Sequence, residues 1–241
     1  MNNAINVKNY YIGNGSLSKL NELLEPKKID ADSKVIFMVD EFFKGNDLID
    51  SLPINKEDSL FFIETNNEPY SDYIDSLVDG IKIDNDTSKI VAVIGMGGGT
   101  TMDIAKATAI LLRNDGLAQD YQGWNLVKNP AVYKIGIPTI SGTGAEVTKT
   151  AVLTSPIKKL GMNSDFTIFD QIILDESLIK TVPKEQFIYT AMDSYVHCVE
   201  SLRGRTNDAM TIAYAEKSLE LLREIFLGEM DYEKLMVASA F

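Results

Sequence analysis

The sequence predicts an α/β fold in which a largely parallel sheet carries helices on both faces and an all-helical part follows. Short apolar runs rich in β-branched residues alternate with helical patterns as far as about Leu174, which is typical of parallel sheets joined by crossover helices. One run, residues 90–94, leads directly into a glycine-rich turn and then a helical pattern. Beyond Pro183 only helical patterns remain. We therefore predict an α/β domain over residues 1–182 and a helical domain over residues 183–241.

The first domain contains four strand candidates and two helix candidates. The strands are predicted at residues 35–39, 60–63, 90–94 and 134–138, and the helices at residues 70–81 and 100–112. Ligands of parallel sheets collect at the carboxyl ends of the strands. Asp40, Gly97 and Thr139 lie at or just beyond the ends of three predicted strands, so we expect them along one edge of the sheet.

The second domain is predicted to begin with one helix over residues 184–200. A further helix follows, because apolar residues recur there at a spacing of three or four, as they do on the buried face of a helix. These residues are Ile212, Ala215, Leu219, Leu222 and Phe226.

The glycine-rich turn is the most informative local feature. Gly97, Gly98 and Gly99 precede Thr100 and Thr101, where a helix is predicted to begin. Glycines let the backbone turn sharply and let a phosphate approach it, and a helix N-terminus offers unpaired N–H groups. The turn therefore suits the pyrophosphate of a dinucleotide, although a purely structural glycine turn explains the same residues equally well. It is neither G-x-G-x-x-G, which needs glycine at position 100, nor a P-loop, which needs Gly-Lys.

Asp103 and Lys106 lie three residues apart in the predicted helix, so they share one helix face. Asp103 is one turn from the glycines, close enough to contact a hydroxyl of a sugar or substrate. The alternative is an ordinary surface ion pair between the two side chains.

The chain has a single histidine, His197, and Asp193 precedes it by four residues. Residues i and i+4 project from the same side of a helix, so both side chains could bind one cation. A divalent ion usually takes three or four protein ligands, so this pair is half of a site. A hydrogen bond along the helix surface or a buried histidine is the alternative explanation.

Composition restricts the class of protein. With 45% hydrophobic and 24% charged residues, the chain is typical of a globular enzyme. Its net charge of −12 argues against non-specific binding of nucleic acid. The apolar runs are too short to span a membrane, and the amino terminus lacks the pattern of a signal peptide. The one cysteine, Cys198, cannot form an internal disulfide and is expected to be a buried thiol, so we expect a cytoplasmic protein.

Five motifs in a fixed order make the sequence resemble the iron-containing (group III) alcohol dehydrogenases over nearly its whole length. They correspond to that family's opening hairpin, the strand ending in an acid near the adenosine ribose, the pyrophosphate turn, the nicotinamide segment and the metal-binding helix. In this chain they are residues 10–17, 35–40, 97–106, 137–148 and 193–197. The resemblance implies a Rossmann-like sheet domain and an all-α metal-binding domain, the dehydroquinate synthase-like fold, with the helical domain incomplete.

The resemblance also implies a cofactor, a metal and a reaction. NAD is expected over NADP, because Asp40 would accept a hydrogen bond from the 2′-hydroxyl of the adenosine ribose and repel a 2′-phosphate. Fe²⁺ or Zn²⁺ at Asp193 and His197 would lower the hydroxyl pKa of a bound alcohol before hydride transfer to nicotinamide, and Asp103 would orient the substrate. The remaining implied cofactor contacts are Gly97, Gly98, Gly99, Thr100 and Thr101 at the pyrophosphate, and Thr139, Thr143 and Lys159 near the nicotinamide. Members often carry Asn-Pro-Thr after the second strand where residues 67–70 read Asn-Glu-Pro-Tyr, so no contact is carried over there.

Members of the family have two further histidine ligands on later helices, and this sequence has no histidine after His197. We therefore expect the chain to be the front two-thirds of a longer enzyme, inactive by itself and forming homodimers when complete. The last apolar helix is expected to be uncovered and to favour self-association. Its apolar residues are Leu235, Met236, Val237 and Phe241.

The substrate is predicted to be a polyol or a sugar acid, of which the enzyme oxidises a primary or secondary alcohol group. Residues 122–128, 134–138 and 161–170 are most similar to the branch that oxidises the C8 hydroxyl of 3-deoxy-manno-octulosonate (Kdo) for lipopolysaccharide synthesis. In that case Lys128 or Lys159 could contact the anionic substrate. Two alternatives stay open: a metal- and NAD-dependent lyase of the dehydroquinate synthase type, and a nucleotide-binding fragment without catalytic activity.

Overall fold

The computed structural model describes residues 5–204 and 207–241, and a parallel sheet forms its centre. Six strands build this sheet, and three short strands, β5, β7 and β8, form a second one. The strands are β1 (Asn9–Ile12), β2 (Lys34–Asp40), β3 (Ser59–Ile63), β4 (Ile90–Gly97), β5 (Gly123–Trp124), β6 (Lys134–Pro138), β7 (Thr150–Thr154), β8 (Lys159–Asn163) and β9 (Gln171–Leu174). The order in the main sheet is β1-β9-β6-β4-β2-β3, and every pairing is parallel. This confirms the predicted α/β class.

Helices cover both faces of the main sheet: α1 (Lys19–Leu24), α2 (Ser71–Asp84) and α3 (Gly99–Leu111). The interior strand β2 is apolar between its first and last residues, and residues 35–39 are all buried, as expected for a strand covered on both sides. Alternate side chains point to opposite faces. Ile36 lies in the core cluster that contains residues of α2 and α3, whereas Phe37 packs in the cluster of Leu20 and Leu24 from α1.

Three helices follow: α4 (Lys184–Leu202), α5 (Ala209–Leu227) and α6 (Tyr232–Ala240). No strand follows Leu174 in the described part of the chain. The helices share a core cluster that includes Phe187, Leu222 and Leu235. They also contact the first domain, since Ser194 Oγ on α4 donates to the carbonyl of Gly142 at 3.1 Å. The division at residues 182 and 183 stays a prediction.

The predicted strands and helices are present, and the predicted ends differ from the observed ones by up to three residues. The expected opening hairpin at residues 10–17 is wrong, because β1 pairs in parallel with β9. Gly13 and Gly15 have positive φ and redirect the chain instead of folding it back. The carboxylate of Asp175, just past β9, then accepts hydrogen bonds from the N–H groups of Gly15 at 3.1 Å and Leu17 at 2.9 Å.

Two further features differ from the expectations. The antiparallel pair β7–β8, closed by the hydrogen bond from Ser155 N to Lys158 O at 2.9 Å, was not predicted. On α6, Leu235 and Met236 are buried and Val237 is partly buried, whereas Phe241, just past the helix, is half exposed. The expectation that this helix lies uncovered is therefore wrong, because α6 packs between α5 and the sheet domain. Among the described residues, no helix is both long enough and apolar enough to cross a membrane.

Candidate functional site

Two adjoining cavities lie at the carboxyl edge of the main sheet. The larger, about 600 Å³, is bounded by the first turn of α3, the loop after β3, the β7–β8 hairpin and α4. The smaller, about 350 Å³, lies beside the end of β2 and the start of α4. Thr65, on the loop after β3, lines both cavities. The parallel register aligns the strand ends, since Asp40 lies beside Ile63 and Gly97 beside Pro138.

The glycine turn joins β4 to α3, and its glycines are required by close packing. A Cβ atom on Gly97 would lie 2.5 Å from Thr101 Oγ1, and one on Gly98 would lie 2.9 Å from Ile140 Cγ2. The φ angle of Gly98 is −84°, a value that any residue adopts. The turn therefore needs space, and not the unusual backbone angles that glycine allows.

The N-terminus of α3 opens on the larger cavity. Gly98 is the N-cap residue and no side chain caps the helix, so the first-turn N–H groups keep the positive end of the helix dipole at the cleft. Gly99 and Thr100 line the cavity. The hydroxyl of Thr101 is buried and has no hydrogen-bond partner in the described part of the chain.

Asp40 ends β2 and lines the smaller cavity. Its Oδ1 accepts a hydrogen bond from Phe42 N at 3.0 Å and lies 3.5 Å from Thr65 Oγ1, a possible donor. The carboxylate thus stabilises the turn that follows β2 and also contributes a negative charge to the cavity.

Two predicted threonines lie on the segment that follows β6. Thr139 is buried, lines the smaller cavity, and donates its N–H to the carbonyl of Gly97 at 3.0 Å. Thr143 lines the larger cavity, and a Cβ atom on Gly99 would lie 3.1 Å from its Oγ1. The segment is therefore held directly against the glycine turn.

Asp103 and Lys106 are both buried, so the surface ion pair considered for them is wrong. Asp103 lines the larger cavity, and its Oδ2 accepts a hydrogen bond from Val152 N at 3.0 Å. Burial raises the pKa of Asp103 to about 6, against the lowering effects of Lys106 and this hydrogen bond. Burial likewise lowers the pKa of Lys106 to about 8, against the attraction of Asp103 and Glu146.

Lys159 lies on β8 at the mouth of the larger cavity. Its side chain is 56% exposed and forms an ion pair with Glu68, which also accepts a hydrogen bond from the hydroxyl of Thr154. The hydrogen bonds from Lys159 and Thr154 lower the pKa of the Glu68 carboxyl. Lys128, the other candidate for an anionic substrate, lines neither cavity.

Asp193 and His197 project from the same side of α4, with Asp193 Oδ1 3.8 Å from His197 Nε2. Both side chains are about half exposed, at 44% and 50%, and His197 lines the larger cavity opposite the glycine turn. Cys198 is a buried free thiol, as predicted. Within residues 5–204 and 207–241, no three His, Cys, Asp or Glu side chains are grouped so that they could hold a metal ion.

The sequence reasoning missed two parts of the cleft wall. Thr65, Asn66, Asn67 and Glu68, on the loop after β3, line the larger cavity. Their position after the end of a predicted parallel strand was the signal that could have identified them. The second part, Thr150 and Val152 on β7, gave no such signal because the β7–β8 hairpin itself was not predicted.

Comparison with known proteins identifies relatives of this chain. The sequence model of the iron-containing alcohol dehydrogenase family matches residues 8–176. A sulfoacetaldehyde reductase of Bilophila wadsworthia is 39% identical over 132 residues, which are 54% of this chain and 34% of that protein. An NAD-dependent methanol dehydrogenase of Bacillus methanolicus is 30% identical over 219 residues, 88% of this chain and 56% of that protein.

Solved structures show the same fold. Sulfoacetaldehyde reductase from Bifidobacterium kashiwanohense in complex with NAD⁺ has a TM-score of 0.84 at 24% identity, over 99% of this chain and 65% of that one. An iron-containing alcohol dehydrogenase from Thermotoga maritima has a TM-score of 0.81 at 25% identity, over 99% and 67%.

The matched regions cover between 34% and 56% of the two curated relatives named here. The family match nevertheless covers residues 8–176, which include all nine strands of the two sheets, β1 to β9, and the glycine turn. The chain belongs to the iron-containing alcohol dehydrogenase family.

Proposed function

We propose that this chain forms the nucleotide site and part of the metal site of an alcohol oxidoreductase that uses a nicotinamide cofactor. One observation carries the proposal: the uncapped N-terminus of α3, Asp40 and His197 all open on adjoining cavities at one edge of the sheet. A parallel sheet binds its ligands at this edge. The family assignment supports the same class of reaction.

The proposed nucleotide site runs along the cleft. Residues 97–101, which form the glycine turn and the start of α3, would bind the pyrophosphate through their N–H groups, since a helix N-terminus attracts anions. Asp40 would accept a hydrogen bond from the adenosine ribose in the smaller cavity. Thr139, Thr143 and Lys159 would contact the other half of the cofactor. Two relatives support NAD: an NAD-dependent methanol dehydrogenase, and a sulfoacetaldehyde reductase solved in complex with NAD⁺.

The proposed metal ligands are Asp193 and His197. Their separation of 3.8 Å across one helix turn lets both touch one cation, and carboxylate and imidazole are ordinary ligands of Fe²⁺ and Zn²⁺. They fit half of a coordination shell. A bound divalent ion would lower the pKa of an alcohol hydroxyl, and nicotinamide would accept the hydride.

The residues of the chain itself would orient and enclose the substrate. Asp103, at the wall of the larger cavity, is ionised above its pKa of about 6 and can then accept a hydrogen bond from a substrate hydroxyl. The buried side of the cleft, formed by α3 and residues 143–152, would exclude water from the reacting carbon.

For the substrate we propose a primary or secondary alcohol or the corresponding aldehyde, with Kdo as the sugar-acid candidate. Relatives are named for methanol, 1-propanol and sulfoacetaldehyde, so the substrates for which members are named include small neutral and anionic compounds. The segments that resemble the Kdo branch, residues 122–128, 134–138 and 161–170, do not line either cavity. The geometry therefore supports recognition of a hydroxyl group, and the substrate panel described next tests which compound carries it.

The experiment measures NADH formation by the whole protein with added Fe²⁺ or Zn²⁺ and a panel of methanol, 1-propanol, polyols and Kdo. We expect turnover with at least one alcohol, and loss of both turnover and bound metal in Asp193→Ala and His197→Ala. Lys19→Ala is the control, because Lys19 is exposed and lines neither cavity. Full metal content in both variants by elemental analysis would overturn the ligand assignment, and release of phosphate from a phosphorylated sugar acid instead would favour the lyase.

A further inference from the structure

Lys106 is a fully buried lysine whose ammonium group contacts backbone carbonyls. Its Nζ atom donates to the carbonyls of Thr148 and Thr150, each at 2.9 Å, and also to the carbonyl of Ala145. A lysine ammonium has three N–H donors, so three carbonyls match its capacity. A contact to Thr148 Oγ1 is longer, at 3.2 Å.

The three residues held in this way share a location. All three line the larger cavity: Ala145 and Thr148 lie on the connection between β6 and β7, and Thr150 is the first residue of β7. Three carbonyls from a connecting segment would repel one another if they converged without a cation between them. The ammonium therefore fixes the path of residues 145–150, and it does so from the helix whose first turn opens on the same cavity.

Asp103 holds the same wall at a second point. Its Oδ2 accepts from the N–H of Val152, which also lines the larger cavity. Asp103 and Lys106 are one helix turn apart on α3. One helix thus presents its N-terminus to the cleft and anchors the adjoining wall through two buried side chains.

We propose that Lys106 is a positioning residue for the nicotinamide half of the cofactor, because it holds residues 145–150 as a fixed wall of the cleft. This inference rests on the proposed function. Lys106 itself is buried behind that wall and touches no ligand. The adenosine half would lie beside Asp40, which lines the other cavity, so its binding should not depend on this wall.

The test compares the affinities of the chain for NAD⁺ and ADP by calorimetry. ADP carries the adenosine and pyrophosphate but lacks the nicotinamide half. In Lys106→Met we expect NAD⁺ affinity to fall about tenfold, while ADP affinity changes less than twofold. Loss of a buried charge also affects the stability of the fold. If Lys106 contributed to stability alone, the affinities for NAD⁺ and ADP would fall equally.

Lys134→Met is the matched control. Lys134 is also buried, but it begins β6 at the opposite edge of the sheet, where its Nζ lies 3.7 Å from Asp170. Its loss is expected to lower stability and leave the ratio of NAD⁺ to ADP affinity unchanged. If Lys106→Met is not obtained folded, Lys106→Gln, which keeps two N–H donors, replaces it with a smaller expected fall in NAD⁺ affinity.

Hydrogen exchange gives a second measurement that needs no ligand. Amides of residues 145–152 should exchange faster in the Lys106 variant than in the wild type, and not in Lys134→Met. An unchanged affinity ratio together with unchanged exchange would overturn the positioning role alone. A wild-type chain that binds neither NAD⁺ nor ADP would instead contradict the proposed function, and the exchange result would still decide whether Lys106 holds the wall.

Discussion

Asp40 illustrates how a single side chain can combine a structural and a binding role. Its Oδ1 accepts from Phe42 N, which stabilises the turn after β2, and the carboxylate also lines the smaller cavity. An asparagine could keep the hydrogen bond to the turn while removing the negative charge. The two roles can therefore be separated by one substitution.

We predict that the chain binds NAD(H) more tightly than NADP(H), and that Asp40→Asn narrows this difference about tenfold or more. The reason is that a hydrogen bond to a charged group contributes about 1.5–3 kcal/mol, and the same charge repels a 2′-phosphate. Calorimetry with both cofactors measures the change, and Asp40→Gly, which also removes the turn contact, should narrow the difference too but with lower stability. Equal affinities of the wild type for the two cofactors would show the assignment to be wrong.

Glu146 is a second informative residue, because it is buried and its Oε1 has no hydrogen-bond partner in the described part of the chain. Burial raises the pKa of its carboxyl from 4.5 to about 7, although its own backbone N–H and Lys106 act in the opposite direction. An unfolded chain releases this proton near pH 4.5, whereas the folded chain holds it until about pH 7. The folded state therefore loses stability as the pH rises between these two values.

The prediction is that Glu146→Gln, which cannot ionise, is more stable than the wild type at pH 8 by up to about 3 kcal/mol, the free energy that corresponds to this rise in pKa. At pH 4 the two proteins should differ little. Urea unfolding at both pH values measures the difference, with Glu25→Gln on the surface as the control. If Glu146→Gln changed the stability equally at pH 4 and pH 8, the raised pKa of the Glu146 carboxyl would be contradicted.

Among the elements, those with strong local patterns were predictable. The strands β2, β4 and β6 are continuous apolar runs, and α3 to α5 follow the helical period, so their positions were correct to within a few residues. The pairing of the short strands β1 and β9 was not predicted. It joins residues more than 150 positions apart, and no local pattern encodes it. The β7–β8 hairpin was missed because it mixes polar and apolar residues without a clear alternation, and its turn begins at Ser155.

The candidate site shows the same division. Residues adjoining strand ends, such as Asp40 and Gly97, could be predicted to lie at one edge of the sheet. The partners of Lys106 could not, because they are backbone carbonyls of a connection whose path the sequence does not reveal. The glycine turn was located correctly, and contact distances add a packing reason for its glycines, which make room for Thr101 and Ile140. The approach of a phosphate to the turn stays a prediction.

At the junction of β4 and α3 we predict that Gly97→Ala lowers the free energy of unfolding by about 1–3 kcal/mol, as overpacking does in a filled core. The added Cβ would lie 2.5 Å from Thr101 Oγ1 and 3.0 Å from Asp40 Cβ, so NAD⁺ affinity should fall as well. Gly80→Ala is the matched control. Gly80 lies within α2 with nothing within 4 Å of an added Cβ, so this variant should gain about 0.5–1 kcal/mol from helix propensity. Chemical denaturation measures both, and a neutral Gly97→Ala would contradict the packing argument.

For the molecule as a whole, the nucleotide site and the metal site differ in completeness. The glycine turn, Asp40, Thr139 and Thr143 belong to one packed domain built on the main sheet. Only two metal ligands are proposed, Asp193 and His197, and His197 is the one histidine of the sequence. Within the described residues no third ligand is grouped with them. Binding of the cofactor and binding of the metal should therefore be separable in this chain.

We predict that the 241-residue chain binds NAD⁺, retains no stoichiometric metal after dialysis, and produces no NADH from alcohols even with added Fe²⁺ or Zn²⁺. Two protein ligands plus water hold a divalent ion weakly, because the affinity of such sites depends on three or four protein ligands in fixed geometry. Calorimetry with NAD⁺ on the same preparation establishes that the protein is folded, elemental analysis measures the metal, and absorbance of NADH measures turnover with the alcohol panel. Stoichiometric metal or sustained turnover would mean that other groups complete the site beside Asp193 and His197, for example from a second copy of the chain, and the assignment of the metal site would have to include them.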